Sequence, residues 1–532
     1  MTAQPPAPVS AWAPFRVTAF RMLFIAMVVS NIGTWMQMVG AQWLLIDEPN
    51  ATTLIAFIQT AMTLPLAVFA IPSGIISDAV DRRRMLAVVQ GAQTVVAAVL
   101  AALVLLHVIH PMALLMLLFA LGVGTAFTMV PVQSAIVELV PREQMAQAAV
   151  MTGLSTNIAR AVGPALAGAL VAAFGTGLVF ALNVVCVGFY FVTILRWKHD
   201  ESGRTRNREP FLHAFRSGIR YVANSPHLRR LLLRVLWFTI PSQAIWALLP
   251  LVARRQLGLD VGQYGVLLGA IGIGAVGAAL TIPHMRRRWR TNGAIAVSMA
   301  AYTVAVLGMS FSRSLWQALP LLLLAGFGWI GTLSTITGSV QMYLPAWVRS
   351  RGGSMNTLAL FLGQAVGAAL WGWLADRMSL QATYWIAAVI IGAASAVSFL
   401  RPLRDVEGLD RTPAVYWPEI DMALDPAIEG STVLVTIEYD VPAANLEAFV
   451  EAIAHVRLVR IRTGGYDWQL QRDVENPRRF IELYTSRSWE DHMRQHDVRL
   501  TESDRVREER VNALSEAPPR VQHFVRAWVQ RL

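Results

Sequence analysis

Long apolar runs, each about the length of a bilayer-spanning helix, recur from residue 20 to residue 400 and are separated by short polar breaks. A helix needs about 20 mostly apolar residues to cross the hydrocarbon core. Charges, prolines and glycines divide this region into twelve runs, near 20–46, 52–77, 85–108, 111–137, 147–173, 176–196, 229–252, 262–283, 292–310, 315–342, 351–375 and 381–400. The first run is too long for a signal-peptide core and no small-residue cleavage site follows it, so it reads as a mature span. After Arg401 the pattern changes. Residues 401–430 read as a linker, and a shorter rhythm follows: "STVLVTIEYDV" alternates as a strand, "AANLEAFVEAIAHVRLVR" is helical, "YDWQLQRDV" and "RRFIELYTS" are strands, and "SWEDHMRQHDVRL" and "DRVREERVNAL" are helical before a last strand, "VQHFVRAWV". This β-α-β-β-α-β order predicts a small α+β ferredoxin-like domain over 431–532.

Composition strengthens the membrane reading: the 532 residues are 55% hydrophobic and only 15% charged. The net charge of +11 does not mark a nucleic-acid partner, because the basic residues fall at alternate helix ends, at "DRRRML", "VPREQ", "RWKHDESGRTRNREP", "MRRRWR" and "WVRSR". The intervening connections "DEPNATT", "HVIHP" and "FGTG" hold no Lys or Arg. The positive-inside rule then places both termini in the cytoplasm. Cys186 is the single cysteine, which excludes an intramolecular disulfide and a cysteine-based zinc site. No Walker motif occurs, so no ATP pump is expected.

The chain repeats itself. A shift of 204 residues lays "VPREQMAQAAVMTGLSTNIARAVGPALAGAL", from Val140, on "LPAWVRSRGGSMNTLALFLGQAVGAALWGWL", from Leu344, with Gly163 on Gly367 and Gly168 on Gly372. The same shift lays Arg82, Arg83 and Arg84 on Arg286, Arg287 and Arg288. The expected fold is an all-α membrane protein of two six-helix halves, 1–197 and 229–400, joined by a linker at 198–228 whose "EPFLHAFRSGIRYVANSPHLRR" predicts an amphipathic interfacial helix.

"GIISDAVDRRR" resembles the signature that follows the second helix of major facilitator superfamily transporters, and the layout of residues 15–400 is similar to the branch that includes the enterobactin exporter. Ala79 stands where that signature has a basic residue and Asp81 where it has its second glycine. The resemblance implies a secondary transporter that exports a small metabolite, siderophore or drug by alternating access, proton-coupled, in a bacterial inner membrane; an importer of a small solute is the alternative. It needs no cofactor and has no catalytic residue in the membrane part.

Asp78 falls at the carboxyl end of the second helix, where the helix dipole disfavours an acid by a few tenths to about 1 kcal/mol. Arg82, or a helix amino terminus of the other half near Ser350, is its candidate partner. Gly74, Asp78, Arg82, Arg83 and Arg84 are therefore the expected cytoplasmic gate, with Asp78 latching the outward-open state; for the three arginines, setting orientation is the competing role. In "NIARAVGPALAG", Ala159, Gly163 and Ala167 recur every four residues beside Pro164 and Gly168, a small-residue face for close helix packing. It also resembles the antiporter signature of the fifth helix.

Arg160 lies about 20 Å along its helix, near mid-membrane, where a charge costs about 2.5–3.5 kcal/mol and normally faces a cavity or a partner. No Asp or Glu lies deep in any run, which leaves helix carbonyls, Asn31, Gln37 or Asn157, water, or an anionic substrate group as its partner. Asn31, Trp35, Gln37, Gln243, Trp246 and Gln364 are the other pathway candidates, since amides and indoles join apolar surface to hydrogen-bonding tips; interhelical contact is the plainer role for each. Coupling falls to Asp47, Glu48 or Asp78.

The tail is similar to antibiotic-biosynthesis-monooxygenase-type domains, which makes an active enzyme domain a rival to a cytoplasmic dimerisation or regulatory module. His492 and His496, four apart on one helix, have metal-binding spacing but lack the glutamate of H-E-x-x-H, so no metal is assigned and a solvated or dimer-facing helix accounts for the pair. The expected partners are a small molecule, with an anionic group as its handle on Arg160, and the lipid bilayer.

Overall fold

The computed structural model describes residues 10, 12–197, 218–403, 409–414 and 432–525. Most of both linkers, the first half of the expected interfacial helix and the last residues of the final strand lie outside the described residues, as do the side chains of Asp78 and Ser350. The chain divides into two compact units, one of residues 1–211, 233–336 and 357–402, the other of residues 212–232, 337–356 and 403–532.

Among the described residues eleven helices are long and apolar enough to cross a membrane. They are α1 (Thr18–Leu44), α2 (Ala51–Ala79), α3 (Arg82–Leu105), α4 (Pro111–Leu139), α5 (Met145–Phe174), α6 (Thr176–Arg196), α7 (Pro226–Leu251), α8 (Val261–Phe311), α9 (Leu315–Tyr343), α10 (Arg349–Arg377) and α11 (Leu380–Leu400). Eleven rather than twelve follows from α8, whose 51 residues contain both of the runs expected near 262–283 and 292–310. No glycine or proline separates them between Pro283 and Gly293, and the two helices run end to end, joined at a kink. The direction changes at one residue, Arg290, at φ 55 and ψ 179, a positive-φ conformation that costs a non-glycine residue about 1–3 kcal/mol. Within the first half α1 packs on α5 and α6, α2 on α4, and α3 on α4 and α6.

The second unit is built on a four-stranded antiparallel sheet in the order β2-β3-β1-β4, from β1 (Val433–Asp440), β2 (Tyr466–Arg472), β3 (Arg479–Ser486) and β4 (Arg520–Val525). Val433, Val435, Ile437 and Tyr439 alternate inward from β1 onto Phe449, Ile453 and Val456 of α12 (Leu446–Thr463). Two short helices complete it, α13 (Trp489–Arg494) and α14 (Glu502–Asn512). The same unit takes in residues 218–223 and 337–356. There Trp347 Nε1 donates to Arg499 O at 3.1 Å, Arg220 Nη1 donates to Gly464 O at 3.3 Å, and the buried Tyr221 ring lies between Trp347 and the Arg462 guanidinium, which pairs with Asp504.

Candidate transport site

The small residues of α5 do two jobs. A Cβ on Gly163 would lie 2.6 Å from Trp35 Cβ in α1, so this glycine seats α5 within its own half. One turn on, a Cβ on Gly168 would lie 2.7 Å from Val261 O, a Cβ on Gly265 would lie 2.7 Å from Pro164 O, and a Cβ on Gly272 would lie 2.9 Å from Ala161 Cα. Here α5 meets α8, a helix of the other half, backbone against backbone. Ala159 and Ala167 are fully buried. The internal repeat carries the same plan: Gly367 in α10 faces Ile240 and Gln243 of α7, and Gly372 faces Ala56 of α2. Each fifth-position helix thus touches the first helix of its own half and the second helix of the opposite one.

Four described polar contacts join the halves toward one end. Tyr264 OH donates to Gln42 Oε1 at 2.8 Å, Thr60 Oγ1 donates to Ala365 O at 3.2 Å, Thr53 bonds Asp376, and Arg254 lies 3.8 Å from Asp47. All of these lie toward the helix ends opposite Arg82–Arg84.

Arg160 sits one turn before Pro164 in α5, with Nε and Nη1 buried and without a hydrogen-bond partner. Its guanidinium carbon is 5.8 Å from the centre of the Trp35 ring. Trp35 lies 6.1 Å from Trp246 of α7, which meets Trp329 of α9 edge-on at 5.7 Å; Phe238 and Tyr302 close the far side of Trp329. Trp246 Nε1 and, one turn earlier on α7, Gln243 Oε1 are also buried without partners. Both halves therefore contribute buried hydrogen-bonding groups without partners, linked through the indole rings of Trp35 and Trp246. A guanidinium with open nitrogens can take a planar anion by forked hydrogen bonds, and indole faces can stack on it.

The three amides expected near Arg160 are engaged elsewhere. Asn31 Nδ2 reaches Ser155 Oγ at 3.4 Å, Asn157 Nδ2 donates to Gly153 O at 3.1 Å, and buried Gln37 accepts from Asn183 of α6. Gln364 is half-buried on α10. Trp329, Tyr302, Tyr264 and Gln42 were not among the residues the sequence singled out; the only mark on Trp329 is its place in "GFGWIG". A hollow of about 640 Å³ lined by Leu45, Glu48, Val104, His110 and Phe174 lies within the first half alone, away from Arg160.

At the arginine-rich end Gly74 is buried. Arg82 pairs with Glu138 of α4, Arg83 Nη2 donates to Leu195 O of α6 at 2.6 Å, and the Arg84 amide donates to Asp81 Oδ1 at 2.7 Å. Asp81 is thus the N-cap of α3, which explains an aspartate where the signature has glycine.

Residues 9–531 match the model of a family described as transmembrane secretion effector. The staphyloferrin A transporter of Staphylococcus aureus is 20% identical over 286 residues, 53% of this chain and 70% of that protein. The enterobactin exporter EntS of Citrobacter koseri is 24% identical over 369 residues, 68% of this chain and 86% of that protein. Among solved structures, the nucleoside transporter NupG superimposes with a TM-score of 0.58 at 12% identity, covering 72% of this chain and 99% of its own. A bacterial homolog of the human lysosomal transporter Spinster, in its inward-facing and unoccupied conformation, gives a TM-score of 0.57 at 15% identity, covering 73% of this chain and 97% of its own. At these identities the two structures show a shared fold.

Proposed function

This chain belongs to the transmembrane secretion effector family of major facilitator transporters, and from that premise we propose that it exports a small anionic amphiphile, of the siderophore or drug class, by alternating access. The observation that carries the reading is Arg160: a buried guanidinium with two nitrogens unpartnered, stacked on Trp35 at the meeting of the two halves. The two siderophore-transporting relatives support the substrate class, and the enterobactin exporter supports the direction.

In this reading α8 crosses the bilayer twice, turning at Arg290, which gives twelve crossings in two halves. The basic ends, both termini and the tail face the cytoplasm of a bacterial inner membrane. Arg82 pairs with Glu138, and Asp78 latches the arginine-rich ends together in the outward-open state. Protons couple export through Asp47, Glu48 or Asp78. The strand order β2-β3-β1-β4, with helices between β1 and β2 and between β3 and β4, supports a ferredoxin-like tail acting as a regulatory or dimerisation module.

The test is uptake of catecholate and carboxylate siderophores into everted membrane vesicles that contain the protein. Arg160→Ala is expected to abolish uptake at equal protein levels, Arg160→Lys to retain part of it, and Asp78→Asn to slow turnover. Undiminished uptake by Arg160→Ala would overturn the assignment of the site. Accumulation in right-side-out vesicles instead would make the protein an importer.

A further inference from the structure

The tail gathers three imidazoles that the sequence keeps apart. α13 ends at Arg494, and the next turn, Gln495–Arg499, widens into a π turn. Such turns are rare and frequent at functional sites. Here the π turn carries His496 and brings its Nε2 to 3.0 Å from Nε2 of His492. β4, at the sheet edge beside β1, sets His523 opposite Val435, with its ring centre 4.8 Å from that of His492. One nitrogen from each ring lies within 4.8 Å of the others. Trp489 packs against His492 at 5.6 Å and edge-on to His523 at 5.7 Å. The solvated helix face expected from the sequence is not what the structure has, since His492 and His496 are buried.

Three polar rings meeting in a protein interior cost desolvation that apolar side chains would not. His492 Nδ1 and His523 Nε2 are buried without hydrogen-bond partners. Burial, then the neighbouring histidines and Arg460, push His492 down to about 2; burial and Arg460 push His496 down to about 3; burial lowers His523. A metal takes the lone pair of a neutral imidazole.

We propose that His492, His496 and His523 form a binding site for one divalent transition-metal ion of the zinc type, with a coordination position left open for a further ligand. Zinc–nitrogen bonds of about 2.0–2.1 Å set tetrahedral nitrogens about 3.3 Å apart, so the close pair opens by a few tenths of an ångström and His523 swings in by about 1.5 Å. The nearby acids are engaged: Asp491 with Arg499 at 2.6 Å, and Glu508 with Arg460 at 2.6 Å. An all-imidazole set selects zinc, copper, nickel or ferrous iron over magnesium and calcium.

The experiment uses the untagged full chain in detergent, stripped with chelator, then equilibrated with Zn(II) or Co(II) and desalted. We expect about one ion per chain by elemental analysis and the intense visible bands of low-coordinate cobalt. His523→Ala, at the sheet edge, and His496→Ala should each reduce retained metal at least tenfold, while His455→Ala, exposed on α12, should keep it. Elution as a single monodisperse species establishes that each variant is folded. No retained ion in the unaltered protein would mean a plain hydrogen-bonded histidine pair, and full retention in His523→Ala would remove the third ligand; either result overturns the proposal.

Discussion

Two buried arginines, one in each unit, show opposite solutions to the same physical problem. Arg460 in α12 is only 1% exposed, and its guanidinium is fixed by Glu482 at 3.3 Å and Glu508 at 2.6 Å. Glu482 in turn accepts Tyr439 OH at 3.0 Å and Trp468 Nε1 at 2.8 Å, so the charge is answered wholly from within the fold. Arg160 has no such network around its Nε and Nη1; it has an indole face and open hydrogen-bonding capacity. A buried charge with permanent counter-charges organises a core. In the function proposed above, the one without them takes its counter-charge from the substrate.

The contrast fails or sharpens under substitution. The largest effect is expected from Arg460→Met, which leaves two buried carboxylates without their cation and should lower stability by about 3–5 kcal/mol, read by denaturant unfolding of the tail. Arg160→Met should leave thermal stability unchanged or raised, yet weaken anionic substrate binding tenfold or more, about 1.4 kcal/mol, read by quenching of tryptophan fluorescence. If Arg160→Met instead unfolds the protein, the two arginines are of one kind. Gly168→Leu drives a side chain into the Val261 carbonyl and should cost about 1–3 kcal/mol while blocking closure of α5 on α8, seen as reduced transport at normal expression. The smallest effect belongs to Glu138→Gln: its pair with Arg82 is partly exposed, and the shift in melting should correspond to less than about 1 kcal/mol.

What could be read in advance follows the same division between local and distant causes. The apolar runs fell within helices because bilayer length and hydropathy are local properties, and "RRFIELYTS" lies on β3 because alternation is local too. The break in α8 was legible from the charge of "MRRRWR", but not the residue at which the chain turns, an arginine without a glycine's signature. The small residues of α5 were visible as a face, though not that Gly163 and Gly168 serve different halves. Trp329 and Tyr302 sit in largely apolar runs whose polar positions do not single out the side of the helix that meets α7. His523 joins His492 only because β4 lies beside β1, a fact of strand order that no spacing encodes.

The second unit is stitched from three distant stretches, and that has a practical result for anyone who would cut or transplant it. Tyr221 precedes α7 and Trp347 lies between α9 and α10, yet their neighbours include Arg462 and Arg499, more than a hundred positions further on. Clipping the chain after Pro402 would uncover aromatic surface on the segment that remains, and a tail borrowed from another transporter would have to bring matching guanidinium and carbonyl groups. Genetic fusion alone does not make such a module portable.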